Sequence, residues 1–479
     1  MQAPAIVWFR DDLRLSDHPA LSAAAASARP LICLYVLDES DPAMRPPGGA
    51  ARWWLAGSLR ALDAGLRRHG QRLVLRRGNA ADVLATLAEK SGAQAVYWNR
   101  RYDRPGIAAD KAVIDALQAR GIGGGTFAGN LLVEPEALSP NGPPRVFTPF
   151  YKRLLAHGVR RIPLPAPASL PPAPSLAGDD LASCSREPAK PDWAGGLRAT
   201  WQPGEAAARA RLAAFLDGDS RNYAQDRDRP DRPATSRLSP HLRFGEIGPV
   251  EIWHATRFAA EAGRMAPRDA DKFLSELAWR EFSWHLLHHV PGLADTHLQP
   301  RFDAFPWRRD ASALCAWQRG RTGYPIVDAG MRELWHTGWM HNRARMIAAS
   351  FLVKHLLLDW RAGEAWFWDT LVDADPANNP AGWQWIAGSG ADAAPYFRIF
   401  NPILQGLKFD PNGDYVRRWV PELAGLPGAA IHTPWEAETR DLESAGIALG
   451  ETYPMPVVDH AAARRRALAA FDTIRNAAR

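Results

Sequence analysis

Along the first 135 residues, short apolar runs alternate with stretches in which apolar residues recur every three or four positions. Ala5-Ile-Val-Trp-Phe9, Leu31-Ile-Cys-Leu-Tyr-Val-Leu37, Arg72-Leu-Val-Leu75 and Ala93-Gln-Ala-Val-Tyr-Trp98 are short and mostly apolar, which is the pattern of strands buried on both faces. Residues 50–69 and 82–90 carry helical spacing between them. This alternation predicts a doubly wound α/β domain over residues 1–135, with a parallel sheet covered by helices. Such sheets bind ligands at the carboxyl ends of their strands. No Gly-x-Gly-x-x-Gly follows the first strand, so a standard dinucleotide site is not signalled.

The pattern then breaks. Nine prolines between Pro163 and Pro203 allow no long helix, and residues 136–203 read as an inter-domain linker. From Gly204 onward helical spacing takes over. It is found at 205–216, 270–289, 312–319, 328–338, 340–358, 364–372 and 460–475, with no competing strand. Residues 204–479 are therefore expected to form an all-α domain. A chain of 479 residues has room for two or three cores.

Composition narrows the function classes. Hydrophobic residues make up 46% of the chain, as in globular proteins. Lys and Arg exceed Asp and Glu by 58 to 52, an excess that permits an acidic polymer as partner without requiring one. Twenty Trp are more than a core needs, so some are expected to stack on a ligand or carry electrons. Cys33, Cys184 and Cys315 lie far apart and no Cys-x-x-Cys occurs, which signals neither a metal site, an iron–sulfur cluster nor a disulfide framework. Charges arrive by Arg10, too early for a signal peptide, and no apolar run is long enough to span a bilayer. A cytoplasmic protein without a membrane partner is expected.

Candidate chemistry sits in a few places. The stretch 373–385 follows an apolar helix and combines two Asp, two Asn and two Trp in a loop punctuated by Gly and Pro. Loops of that kind carry function more often than packing, although each residue alone reads equally well as a turn or a core Trp. Glu276, Trp279 and Arg280 share one helical face. Alone they read as a surface ion pair beside a half-buried indole. Trp339, Asn342 and Met346 share another face, and an Asn inside a helix needs a reason. Thr235-Ser-Arg-Leu-Ser239 offers hydroxyls and amides before a helix, suited to an anion or to simple capping. Arg10-Asp-Asp-Leu-Arg-Leu-Ser-Asp-His18 reads as a solvated charged loop after the first strand.

Four motifs in order resemble the flavin-binding signature of the DNA photolyase and cryptochrome family. They are Phe273-Leu-Ser-Glu-Leu-Ala-Trp-Arg-Glu-Phe282, Thr322-Gly-Tyr-Pro-Ile-Val-Asp-Ala-Gly-Met331, Gly338-Trp-Met-His-Asn-Arg-Ala-Arg-Met346, and Asp373 to Trp385 running on to Ala394-Pro-Tyr-Phe-Arg-Ile-Phe-Asn-Pro402. The likeness begins at Val7-Trp-Phe-Arg-Asp-Asp-Leu-Arg14 and runs nearly to the C-terminus. Within the family the chain is most like a bacterial class I cyclobutane pyrimidine dimer photolyase. The cysteine pattern argues against the iron–sulfur branch.

The resemblance implies an antenna-type N-terminal domain and a C-terminal domain that binds FAD, reduced and anionic when active. It implies a monomer that repairs damaged DNA with light. The cofactor would be held by Tyr223, Thr235, Ser236, Arg237, Leu238, Ser239, Phe273, Glu276, Arg280, Asn342, Arg345, Asp373, Asp375 and Asn379. Arg345 would pair with Asp373, and Asn379 would face the reactive ring nitrogen. Phe273 stands where relatives often have Trp. A flipped dimer would meet Glu276 and Asn342, stack on Trp279 and Trp385, and pack on Met346. Arg227, Arg280, Arg343 and Gln405 would lie on DNA. Glu276, Asn342 and Asn379 would be the catalytic set, and Trp383, Trp360 and Trp307 an electron relay to the surface. No metal is implied. Extruding a damaged base costs a few kcal/mol, and aromatic stacking returns roughly 1–3 kcal/mol per base.

Two alternatives have their own signatures. (6-4) photolyases carry paired His where this chain has Asn342 and Met346, and His341 lies about 100° around a helix from Asn342. Cryptochromes commonly add a C-terminal tail, and this chain ends about one helix after Pro456. For the antenna, folate-type relatives carry an Asn-Glu pair where this chain has Pro105-Gly106. No folate is expected at the usual site, which leaves a deazaflavin, another pigment or none.

Overall fold

Five parallel strands form one sheet in the order β3-β2-β1-β4-β5. They are β1 (Ala5–Phe9), β2 (Leu31–Leu37), β3 (Leu73–Arg77), β4 (Ala95–Asn99) and β5 (Gly123–Phe127). The computed structural model describes residues 2–171, 176–180, 190–393 and 397–476. Every residue of β1 is buried because both faces of the sheet are covered. On one face Ile6, Trp8, Leu34, Val74 and Val96 pack with Leu84 and Val113 of two crossover helices, α3 (Ala80–Ser91) and α4 (Arg104–Gln118). Helices α1 (Pro19–Ala26) and α2 (Gly49–Arg68) complete the winding. The fifth strand has no apolar pattern to announce it. Its glycines allow the close approach instead, since a Cβ at Gly124 (φ 143°) would collide with the Val96 carbonyl.

The motif after β1 is not a solvated loop. Asp12, Arg14, Asp17 and His18 are all buried. Arg10 Nη1 lies 2.7 Å from Asp110, and His18 Nε2 lies 3.1 Å from Asp12. The Arg14 guanidinium donates to the Asp17, Gly129 and Gly245 carbonyls at 2.7–3.1 Å. Burial alone would raise the Asp12 carboxyl, but His18, the Arg10 amide and Arg14 overcome it and hold the group at about 2.

The chain divides into two compact units. One comprises Met1–Ala194, Trp201–Arg221 and Ser236–Pro291; the other comprises Gly195–Thr200, Asn222–Thr235 and Gly292–Arg479. This division differs from a single cut at Gly204, because helices such as α6 (Pro249–Glu261) and α7 (Pro267–His289) cluster with the sheet unit. The stretch expected to be linker also contains α5 (Phe147–His157), placed before the proline run. Cys33 is buried and Cys315 half-buried, while Cys184 lies outside the described residues, as do Ala394, Pro395 and Tyr396 of the fourth motif.

The second unit is helical, and no sheet strand occurs outside β1–β5 among the described residues. Its core joins Val327, Met331 and Leu334 of α8 (Pro325–Thr337), Ile347 of α9 (Asn342–Ser350), Trp360 and Phe367 of α10 (Trp360–Thr370) and Trp383 of α11 (Asn378–Ala387). Shorter α12 (Pro402–Phe409) and terminal α13 (His460–Asn476) follow. The apolar stretch at 340–358 is not one helix. It starts at Asn342 and passes into a π-turn at Phe351–His355.

Candidate functional site

In the first unit, α7 carries the predicted face of Glu276, Trp279 and Arg280. Phe273, Leu274, Leu277 and Phe282 are buried, while Glu276, Trp279 and Arg280 stay half-exposed. Trp279 lies parallel to Phe147 of α5 at 3.8 Å and 6°, so one face of the indole is already stacked. Lys272 Nζ lies 2.7 Å from Glu276 Oε1. Arg280 is tied inward, donating to the Asn130 carbonyl at 3.0 Å and reaching Glu281 at 3.3 Å. Burial pushes the Glu281 carboxyl up to about 7, against Arg280 and the amides of Leu132 and Val133. Phe273 packs on Phe215 with centroids 4.6 Å apart.

Ser236, Arg237, Leu238 and Ser239 also belong to the first unit, leading into a short helix at Ser239–Arg243. Arg237 adopts φ 51°, a left-handed conformation that costs a non-glycine residue energy and is held by its surroundings. Its guanidinium lies 4.7 Å from the Trp201 ring.

The remaining predicted residues belong to the second unit: Tyr223, Arg227, Thr235, Trp307, Asn342, Arg343, Arg345, Met346, Trp360, Asp373, Asp375, Asn379, Trp383, Trp385 and Gln405. Asn342 is not in a helix interior, and Trp339 is not on its helix. Gly338 ends α8 in a left-handed turn (φ 66°), and the His341 ring caps α9 by accepting the Arg343 amide at 3.1 Å. Asn342 is thus the first residue of α9, where its propensity costs little. Burial lowers the His341 ring to about 4, so it is neutral at physiological pH. Asn342 Nδ2 lies 3.8 Å from Met346 Sδ. Arg343 pairs with Asp228 at 2.7 Å and lies 4.2 Å from the Phe409 ring. Arg227 lies 5.9 Å from the Tyr223 ring, and Gln405 is half-buried on α12.

The stretch 373–385 is largely helix, not loop. The Asp375 carboxylate accepts the Ala377 and Asn378 amides at 2.9 and 2.7 Å and starts α11, and Pro380 fits in its first turn. Asn379, Trp383 and Trp385 therefore ride on a rigid element. Asn379 Nδ2 donates to Glu364 Oε1 at 2.8 Å and to the Glu364 carbonyl at 3.1 Å, which fixes its amide. Lys354, wholly buried, donates to the Ala387 carbonyl at 2.7 Å and closes the other end of α11. Burial drives that amine well below its usual range. Trp385 Nε1 donates to the Asp392 carbonyl at 3.0 Å.

Several groups here are incompletely satisfied. Arg345 lies 2.8 Å from Asp373 Oδ2, but Asp373 Oδ1 is buried without a hydrogen-bond partner among the described residues. A buried carboxylate oxygen in that state calls for a donor such as a ribose hydroxyl, and FAD supplies hydroxyl and ring N–H donors. The residues present fit that cofactor. The indole N–H groups of Trp307, Trp360 and Trp383 are likewise buried without partners. Trp360 and Trp383 are core residues and Trp307 is half-buried. Trp383 also meets Phe367 edge-on at 5.0 Å and Trp317 at 6.1 Å.

Lys272, Phe147 and Glu364 escaped the sequence reading. Lys272 was legible, since residues four apart on a helix meet. Phe147 and Glu364 reach Trp279 and Asn379 only through the fold. Among the described residues no cluster of His, Cys, Asp or Glu suits a metal, and no helix is long and apolar enough to cross a membrane.

Comparison with known proteins adds family context. The family model described as DNA photolyase matches residues 5–170, and that described as the FAD binding domain of DNA photolyase matches residues 273–473. A deoxyribodipyrimidine photo-lyase of Agrobacterium fabrum is 52% identical over 99% of this chain and 98% of its own length. Cryptochrome-1 of Arabidopsis thaliana is 40% identical over 96% of this chain and 69% of its own length. The crystal structure of a bacterial class III photolyase from Agrobacterium tumefaciens superposes with a TM-score of 0.95 at 51% identity, covering 99% of this chain and 98% of that one.

Proposed function

This chain belongs to the DNA photolyase and cryptochrome family, and we propose that it is a light-driven lyase that reverts cyclobutane pyrimidine dimers in damaged DNA. The observation that carries the reading is Trp279. It is a half-buried indole held flat on Phe147 at 3.8 Å, one turn from the Glu276 carboxylate. A pre-stacked aromatic face beside an acceptor suits a base taken out of a duplex. The motifs alone suggested class I. The 51% identity to the bacterial class III photolyase of Agrobacterium tumefaciens supports class III instead, and that is our assignment.

FAD is the cofactor, and when bound it supplies the light absorption and the electron that opens the cyclobutane ring. Asp373, oriented by Arg345, would accept from its hydroxyls, with Asp375, Tyr223, Thr235, Ser236, Arg237, Leu238, Ser239, Phe273 and Arg280 as further cofactor contacts. Asn379, its amide fixed by Glu364, would place a neutral group toward the reactive ring nitrogen, which suits a reduced anionic state. Glu276 and Asn342 would bond the polar edge of the dimer. Trp279, Trp385 and Met346 would take its apolar surface. Trp307, Trp360 and Trp383 would conduct electrons inward. Arg227, Arg343 and Gln405 would rest on DNA, mostly on phosphates, which position without reading sequence.

His341 is buried, occupied as a helix cap and neutral, so it makes a poor proton donor for (6-4) repair. A monomer in the cytoplasm, without folate at the usual antenna site, completes the proposal. The second reading, a light sensor, has support from cryptochromes among the relatives. Dark binding to a duplex with one thymine dimer and to its undamaged counterpart separates the two. A photolyase prefers the dimer by a large factor, whereas equal affinity would leave the sensor.

A further inference from the structure

Lys272 belongs to none of the motifs above, yet it touches the central carboxylate. Its Nζ lies 2.7 Å from Glu276 Oε1, with the side chains 37% and 25% exposed. Lys272, Glu276, Trp279 and Arg280 fall at i, i+4, i+7 and i+8 of α7, so one stripe of one helix presents an ammonium, a carboxylate, an indole and a guanidinium. The pair contributes little to folding. It runs Lys before Glu, the weaker order along a helix, and exposed pairs of this spacing add little to stability. Its consequence is local. The ammonium holds the carboxylate over one turn of α7.

We propose that Lys272 is a positioning residue for lesion recognition: it aims the Glu276 carboxylate at the dimer. The proposal rests on the lesion-binding reading. It attaches a second charge to a task that the motifs gave to Glu276 alone. A phosphate contact is a different role for the same ammonium, and the two are separable. A phosphate contact acts on damaged and undamaged DNA alike and adds about 0.9 to the slope of log affinity against log salt. A positioning residue acts on the ratio of the two affinities and acts only while Glu276 is present.

The test is dark binding of flavin-loaded, full-length protein to a duplex with one thymine dimer and to the same duplex undamaged. Wild type, Lys272→Met, Lys272→Arg, Glu276→Gln and the Lys272→Met/Glu276→Gln double variant are compared across salt. Lys272→Met is expected to cut the dimer-to-undamaged affinity ratio by about fivefold, a typical coupling within one contact network. Lys272→Arg should restore most of it, and Lys272→Met should have no further effect once Glu276 is Gln. Any of three results overturns the proposal. They are an unchanged ratio, equal losses on both duplexes with a lower salt slope, and a loss that persists beside Glu276→Gln. A wild-type ratio near one would remove the lesion-binding reading itself, and the proposal with it.

Discussion

Two stretches of this chain look alike on paper. Arg10 to His18 and Asp373 to Trp385 are both dense in charge and polar groups, and both follow a buried apolar element. In the first, the charges close on one another. Asp12 meets His18, Asn99 and the Arg10 amide, and Arg14 gives its donors to three carbonyls. In the second, some groups anchor the helix and others are left over. Asp375 starts α11 and Lys354 closes it, yet Asp373 Oδ1 and the Trp383 indole N–H have no partner among the described residues. Charge density alone does not mark a site. Both stretches hold a buried donor without a partner among the described residues, Arg10 Nε in the first and the Trp383 indole N–H in the second, but only the second leaves a buried carboxylate oxygen, Asp373 Oδ1, in that state, and that is the group that calls for a ligand's donor.

The sharpest break between the two stretches is Trp383→Phe. It should abolish light-driven reduction of the flavin while repair by chemically reduced protein stays close to wild type. Persistence of photoreduction at the wild-type yield would remove Trp383 from any relay. The same substitution in both stretches comes next. Asp12→Asn breaks a buried pair and should cost about 3 kcal/mol of unfolding free energy, read by denaturant titration, with flavin content unchanged. The Asp12 carboxyl is held at about 2 from an ordinary 3.8. Its stabilisation is therefore present above about pH 4 and fades as pH falls toward 2, and the gap between wild type and Asp12→Asn should close over that window. Asp373→Asn should do the reverse. It should weaken FAD retention by about 1.5–3 kcal/mol, the worth of a hydrogen bond to a charged group, with little change in apoprotein stability. Equal outcomes for the two would dissolve the contrast.

How far the contrast could be read in advance differs between the stretches. Strands β1 and β2 were legible to the residue, because runs buried on both faces leave no polar register to confuse. β5 was not, because its Gly-Gly-Gly-Thr-Phe carries no hydrophobic period and the strand exists by close packing on β4. The Arg10 to His18 loop was read as solvated, since nothing local reveals that Gly129 and Gly245 bring their carbonyls to Arg14. The helix α11 reads as a loop from its Gly and Pro, because the Asp375 carboxylate that takes the Ala377 and Asn378 amides lies two residues ahead of the N-cap Ala377 and Pro380 is its third residue. Arg345 with Asp373 was anticipated from family likeness, and the pair is present at 2.8 Å. Phe147 under Trp279 had no signal, because 131 residues of chain lie between them.

The smallest expected effect concerns Arg343. Its guanidinium already pairs with Asp228 at 2.7 Å, so only part of its charge is available to DNA. Arg343→Ala should lower the slope of log affinity against log salt by about one unit at most. A larger fall would mean that Asp228 releases it on binding, and no change would take Arg343 out of the footprint.

The central claim is that this scaffold holds a flipped cyclobutane dimer for repair, and one assay meets it directly. Fully reduced protein is mixed with two oligonucleotides, one carrying a thymine cyclobutane dimer and one a (6-4) product, and restored thymines are counted after blue light and after darkness. The account predicts repair of the cyclobutane dimer alone and only in the light. No repair under illumination, or repair of the (6-4) product alone, would contradict it.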